Sequence, residues 1–598
     1  MSMTRRLEHF PNLVAMFFTR ATELGDAPFL WAKRDGAWTA TSWAEAARQV
    51  GSLATALRAI GLAAGDRVML VSENRPEWCI SDLAIMAAGC VTVPTYTTNT
   101  ERDHAHILEN SGARAVIVSD QKLARTLLPA VVRSPHAATV IGIEDFRFAQ
   151  QGVAFRSWRA LIADHPADPV AVAASVTAGR DDLACIIYTS GTGGSPRGVM
   201  QHHGAILHNV AGCSAVVAED LGWDDEVFLS FLPLSHAYEH TGGQFFPIGL
   251  GGQIYYSEGL DRLASNIEEV RPTLMFVVPR LFEVLRQRIG KAIERQGGLS
   301  RYLLGKALAI GTKRSEGRYG LADRPMGLVV DALFKRRIGK KFGGRLKAMI
   351  SGGAPLNAEV GQFFNSIGVL LLQGYGQTEA GPVISCNRPK AGVTVDTVGP
   401  PIPETEVRVA EDGELLVRGE LVMRGYWRND AETARVLKDG WLHTGDIGEI
   451  DARGRIRITD RKKDIIVNDK GDNVAPQKVE GMLTLQDEIV QAMVYGDRRP
   501  HMVAVLVPDA EWMQEYCAKS GAKYDFARLR EDAAFRAALG AAVERVNKDL
   551  SVTERIRRFI IADAPFAIDN EQMTPSLKIR RHVLKGVYGE RLDALYRG

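Results

Sequence analysis

Residues 186–200 read IIYTSGTGGSPRGVM, and the fold and the chemistry of the chain both turn on them. An apolar run, Ile186, Ile187 and Tyr188, breaks into Thr189, Ser190, Gly191, Thr192, Gly193 and Gly194. The loop then closes on Pro196, Arg197 and Gly198. This pattern predicts a buried strand, an anion-cradling loop and a following helix beginning near GAILHNV. Glycines let backbone N–H groups approach a phosphate, hydroxyls add donors, and one guanidinium adds charge. A G-x-x-x-x-G-K-S/T loop cannot be laid over it. In isolation a linker has the same composition, so the flanking chain must decide.

Working outward, short apolar runs at 68–72, 90–96, 115–120, 183–188, 226–232, 273–278, 347–351 and 368–372 predict buried strands. Helical stretches such as 12–24 and 43–61 accompany them, which argues a parallel α/β sheet covered on both faces. Ligands of such sheets lie beyond the carboxyl ends of the strands. The unusual polar motifs stand there: PLSHAYEH with His236 and His240, VPRLFE from Val278, SGGAP at 351–355 and YGQTE at 375–379. Small residues at a strand end admit a flat ring against backbone, and Thr378 with Glu379 offers a hydroxyl and a carboxylate for phosphate and Mg²⁺.

From 395 the texture changes to short strands with glycine turns, a small β-rich subdomain to about 460. Asp446, in HTGD, can cap a turn or accept both hydroxyls of a ribose diol. The charged run DRKKD at 460–464 reads as an exposed connector. The remainder has its own strands and helices and ends near TPSLK at 574–578. The expected fold class is therefore α/β. A large N-terminal domain of parallel-rich sheets flanked by helices (1–460, with the β-rich subdomain at about 395–460) precedes a small mobile C-terminal α+β domain (461–598).

A chain of 598 residues exceeds one core, and its 73 basic and 71 acidic residues give no field that would draw it to nucleic acid. Cysteines 79, 90, 185, 213, 386 and 517 are scattered, as reduced thiols of a cytoplasmic protein are, and make no disulfide frame or zinc site. No signal peptide or membrane-spanning run is expected. Segment 301–347 carries thirteen Lys/Arg against three Asp/Glu, with Leu328, Val329, Leu333 and Phe334 close to Lys335, Arg336 and Arg337. It suits either a solvated face or peripheral contact with the inner face of an anionic membrane.

Taken in order, the phosphate loop, SGGAP, YGQTE, HTGD, DRKKDIIV and TPSLK resemble the adenylate-forming superfamily. The wording VPRLFE, FLPLSHAYEH and DGWLHTGDIG resembles its long-chain fatty-acid–CoA ligase (AMP-forming) branch. Two positions depart from the usual Y-T-S-G-T-T-G-x-P-K-G-V: Gly193 replaces threonine and Arg197 replaces lysine.

The resemblance implies activation of a fatty acid by ATP to acyl-AMP, then transfer to coenzyme A. It implies that residues 189–194 and Arg197 hold the β- and γ-phosphates. Gly353, Ala354, Gly374 and Tyr375 would wrap adenine, Thr378 would touch the α-phosphate, and Glu379 with Thr189 would hold Mg²⁺. Asp446 and Arg461 would take the ribose, Lys578 would bridge the carboxylate and the α-phosphate, and Lys463 would be the hinge. His236 would stand beside the reacting carboxyl, with Gly242, Phe245 and Phe246 along the acyl chain. A carrier-protein thiol as acceptor and a catalytically impaired nucleotide-binding homologue are the alternatives. Oligomeric state is open, a homodimer included.

Overall fold

A computed structural model describes residues 6–146, 152–189, 196–295, 297–315, 318–330, 332, 336–574 and 578–597. The chain divides into two compact units. The first comprises Met1–Val409, Leu416–Thr444 and Ile450–Arg457; the second Ala410–Leu415, Gly445–Glu449 and Ile458–Gly598.

The first unit holds two large sheets. In the seven-stranded sheet the spatial order is Ala154–Ser157, Thr139–Gly142, Ala115–Val118, Arg67–Val71, Val91–Thr95, Leu183–Thr189, Arg197–His202. All neighbours run parallel except the last pair. In the eight-stranded sheet the order is Val383–Cys386, Leu371–Gly376, Ala348–Ser351, Leu274–Val277, Val227–Ser230, Gln253–Tyr256, Pro28–Arg34, Ala37–Ser42. It is parallel inside and antiparallel at both edges. Continuous apolar runs such as Val68 to Val71 and Ala115 to Val118 are fully buried, as strands covered on both faces must be.

One hydrophobic core joins residues of both sheets to the helices Leu13–Leu24, Trp43–Ala59 and Pro76–Ala87. Every residue of Pro76–Ala87 is buried, Glu77, Ser81 and Asp82 included, so this helix has no solvent face. Asn12 and Ser42 cap the first two of these helices through their side chains, and Phe29 stacks on Trp43 with ring centroids 3.6 Å apart.

The helix expected near GAILHNV begins at His203, and before it stands a strand, Arg197–His202, that the sequence reading does not include. Residues 197–202 pair antiparallel with 183–189, Thr189 opposite Arg197 and Ile187 opposite Val199, so these backbone groups are spent in a ladder. Ser190, Gly191, Thr192, Gly193 and Gly194 lie outside the described residues.

In the second unit the strands Ile489–Tyr495, Met502–Pro508 and Ile556–Ile561 form a three-stranded sheet, the first pair antiparallel and the second parallel. Its central strand is buried throughout and feeds two cores by simple alternation. Met502, Ala504 and Leu506 join Val479, Leu483, Phe535 and Leu539; Val503, Val505 and Val507 join Leu584, Tyr588 and Leu592. A period of two on a strand covered by helices requires this split. Between the second and third strands of this sheet stand the helices Phe526–Glu531 and Ala533–Asn547, the latter capped by Asp532.

Candidate functional site

In the first unit the motif residues gather at the carboxyl ends of the strands. Thr189 ends one strand, Ser351 another, and Tyr375 and Gly376 a third, with Pro279 opening a helix two residues after Val277. His236 caps the short turn Ala237–Glu239, its Nδ1 accepting the Tyr238 N–H at 3.2 Å. The Tyr238 hydroxyl donates to the Ile350 carbonyl at 2.9 Å, and its ring fills the space a side chain at Gly352 would need. Gly353 follows at φ +82°, with Ala354 exposed beside it. A Cβ on Gly376 would lie 1.9 Å from the Pro382 carbonyl oxygen, so glycine is obligatory where the antiparallel edge strand folds back. Gly374 and Tyr375 pair there with Cys386 and Ser385.

Thr378 is buried and Glu379 half-buried, on a turn fastened by side chains from three neighbouring elements. Gln201 donates to the Thr378 carbonyl at 2.7 Å, and Thr241 donates to the Gly381 carbonyl at 3.0 Å. Asn209 accepts the Val383 N–H at 2.5 Å and donates to the Val383 carbonyl at 3.2 Å. The Met423 N–H donates to the Glu379 carbonyl at 2.9 Å, and the Tyr426 hydroxyl donates to Glu379 Oε1 at 2.8 Å. Arg197, on the other strand, pairs with Glu432 and lies 4.7 Å over the Tyr426 ring.

A buried polar cluster sits below these residues. Asp82 Oδ2 accepts from His240 Nε2 at 2.9 Å and from Gln244 at 2.7 Å, all three fully buried. Glu239, also buried, accepts from the Ser230 hydroxyl at 2.6 Å, and burial lifts its carboxyl to about 8. Phe245 packs edge-on against His240, Phe246 meets Phe228 and Phe276 edge-on, and Gly242 leaves its space to the Phe276 ring.

In the second unit Arg461 Nε donates to Asp446 Oδ1 at 3.1 Å, and Asp446 is buried. The neighbouring Gly445 N–H donates to Glu414 at 2.8 Å, while Lys462 bonds both Glu414 and Asp412. Lys463 is exposed directly after this pair. Lys578 is exposed; the Thr574 N–H donates to the Lys578 carbonyl at 2.7 Å, and the Lys578 N–H donates to the Thr574 hydroxyl at 3.1 Å. The structure thus brings Glu379 and Arg197 together on Tyr426, with Thr378 next to Glu379 on the same turn, and pairs Asp446 with Arg461.

Sequence reading passes over Asp82, Glu239, Gln201, Asn209, Tyr426 and Glu432. Asp82 does leave a trace, as the one acid in the apolar run CISDLAIMAAG; the others stand among ordinary polar neighbours.

A paired-sheet unit with polar motifs at its strand ends, followed by a small α+β unit, defines a class, and the comparisons agree on it. The AMP-binding enzyme family matches residues 17–427, and the AMP-binding enzyme C-terminal domain matches 463–598. The chain belongs to this family. It is similar to the long-chain-fatty-acid–CoA ligase FadD15 of Mycobacterium tuberculosis, at 34% identity over 98% of this chain and 97% of that one. It is similar also to long chain acyl-CoA synthetase 1 of Arabidopsis thaliana, at 29% identity over 99% and 92%. Among solved structures it shares the fold of the A domain of a carboxylic acid reductase from Segniliparus rugosus, in complex with AMP and a co-purified carboxylic acid. The TM-score is 0.77 at 22% identity, covering 99% of this chain and 95% of that one.

Proposed function

We propose that the chain is an AMP-forming long-chain fatty-acid–CoA ligase. The observation that carries the reading is the end-to-end likeness to ligases of that name, 34% identical with both chains almost wholly covered. In the first half-reaction the fatty-acid carboxylate attacks the α-phosphorus of ATP. A C–O–P bond forms and pyrophosphate leaves. The CoA thiol then attacks the acyl carbon, the thioester forms, AMP departs and the thiol proton is lost. Adenylation replaces an oxide that cannot leave by AMP, which can. Phosphoryl displacement of this kind depends on position and charge neutralisation more than on covalent catalysis.

The residues suit those tasks. Arg197 offers a guanidinium to the outer phosphates from the strand after the loop. Thr378 offers a donor to the α-phosphate, and Gly353, Ala354, Gly374 and Tyr375 offer flat backbone and an aromatic edge to adenine. Asp446, already aligned by Arg461, accepts ribose hydroxyls. Lys578 supplies a mobile cation for the charge that develops between carboxylate and α-phosphate, and His236 stands at the carboxyl end of the central strands.

Glu379 is fitted to Mg²⁺, being a hard oxygen donor on a rigid turn. Among the described residues no three His, Cys, Asp or Glu side chains cluster as a protein-made metal cage. Bound at Glu379, Mg²⁺ would supply charge neutralisation across the phosphates.

Among the described residues no helix is long and apolar enough to cross a membrane. We infer a peripheral surface at 301–347 instead, supported by exposed Tyr302, Leu321, Leu328 and Val329 beside an excess of basic residues. Replacing Leu321 and Leu328 by glutamate should abolish cosedimentation with anionic vesicles; unchanged cosedimentation would remove this surface.

The function is tested by pyrophosphate release with ATP, Mg²⁺ and a ladder of fatty acids, with and without CoA. Multiple turnover that needs CoA and peaks at long chains is expected. No release with any acid, or a preference for short acids, would overturn the reading.

A further inference from the structure

Arg197 opens a strand and Glu379 sits on the turn Thr378–Ala380, and one side chain touches both. The Tyr426 ring carries the Arg197 guanidinium 4.7 Å from its centre, while the Tyr426 hydroxyl donates to Glu379 Oε1 at 2.8 Å. The backbone holds Tyr426 in register with the strand that bears Arg197. Met200 donates its N–H to the Gly425 carbonyl at 3.0 Å, and Trp427 donates its N–H to the Gly198 carbonyl at 2.7 Å. The Met200 carbonyl accepts the Arg424 N–H at 3.0 Å, so residues 424–427 run beside Arg197–His202 almost as a further strand. Gly198 permits this approach, because a Cβ there would lie 2.7 Å from Ile186 and 3.3 Å from Trp427. The Tyr426 N–H is fixed in turn by the Thr433 hydroxyl at 2.9 Å, one residue from Glu432, the ion-pair partner of Arg197.

The arrangement explains the arginine. A planar guanidinium stacks on a ring and keeps its edge for ions, whereas a lysine ammonium would keep the charge and lose the plane. Arg197 Nε is buried without a hydrogen-bond partner among the described residues.

We propose that Tyr426 is a positioning residue that locks the phosphate-facing arginine and the metal-facing carboxylate into one assembly, its ring aligning Arg197 and its hydroxyl aligning Glu379. The inference rests on the reading of Arg197 and Glu379 given above. It makes the ring and the hydroxyl separable by experiment. ATP binding to the full chain is measured by calorimetry without fatty acid, once with Mg²⁺ and once with EDTA.

In Tyr426→Phe the ring remains and the hydroxyl is gone. The tightening of ATP binding by Mg²⁺ should shrink about tenfold, the size of one hydrogen bond to a charged group, while the affinity in EDTA is unchanged. Arg197→Lys and Tyr426→Leu should each weaken binding in EDTA by several-fold, roughly the worth of a cation–π contact, and the double variant should be no worse than either single one. Full Mg²⁺ tightening in Tyr426→Phe, or additive losses in the double variant, would overturn the proposal. Should Tyr426→Leu fail to fold, Tyr426→Phe decides alone. Glu379→Gln separates the two levels: its loss of Mg²⁺ tightening while Tyr426→Phe keeps it overturns only the role of Tyr426. Full tightening in Glu379→Gln overturns the reading of the site beneath it.

Discussion

Glu239 carries the most distinctive titration in the first unit. Its carboxyl, buried against Ser230, is lifted from 4.5 to about 8, so it is largely protonated in the folded protein at neutral pH. The unfolded chain releases that proton near the ordinary value. Between those limits the folded state therefore binds more protons, and the stability Glu239 contributes is full below about 4.5 and lost as pH rises through about 8. The slope reaches at most about 1.4 kcal/mol per pH unit. Glu239→Gln removes this dependence, so the stability of the variant relative to the parent should climb between pH 5.5 and 7.5 in urea titrations. Equal slopes would contradict the assignment. Lys578 makes a prediction of another kind. Lys578→Ala should lose acyl-AMP formation by about a thousandfold, the scale of one charge-stabilising group, yet still convert supplied acyl-AMP and CoA to thioester. Equal loss in both half-reactions would remove its assigned role.

The turn that carries Thr378 and Glu379 is shaped by elements far from it in sequence. Asn209, fully buried on the helix His203–Val216, makes both hydrogen bonds to Val383, and no local signal marks it. Asn209→Ala leaves those backbone groups without their partner, at a cost of about 2–3 kcal/mol in urea unfolding. Because the turn loosens, Mg²⁺ requirement should rise as well; an unchanged requirement would show that the turn holds without it. The strands themselves were legible. Buried parallel strands require unbroken apolar runs, and 68–72, 115–120 and 347–351 have them. The strand Arg197–His202 was not, since Arg197 and Gln201 interrupt the apolar pattern and Gly198 is also held by the Trp427 N–H, more than two hundred residues away. Thr189, Ser351, Tyr375 and Thr378 could be read because they stand at or just after the end of a strand. The clasp around Tyr426 could not, because its members meet only after the chain has returned from 379 to 426.

At the scale of the molecule, two units with separate cores hold the two sets of proposed nucleotide ligands, Thr378 and Glu379 in one, Asp446, Arg461 and Lys578 in the other. Two half-reactions that need different neighbours for one acyl group suit such a division, provided the connector turns. Lys463→Pro, at an exposed position after Arg461, should keep adenylation and slow thioester formation by at least tenfold, because fixing φ there blocks the turn. Normal rates in both steps would free Lys463 of the hinge role. The central claim is the covalent intermediate, and trapping it is the most direct test. Enzyme in excess is mixed with α-labelled ATP, Mg²⁺ and a long-chain fatty acid without CoA, quenched in acid, and chased with CoA in a parallel sample. The account predicts labelled acyl-AMP formed together with pyrophosphate and discharged to acyl-CoA and AMP by the chase. Formation of ADP in place of acyl-AMP, or an acyl-AMP that CoA leaves untouched, would contradict it.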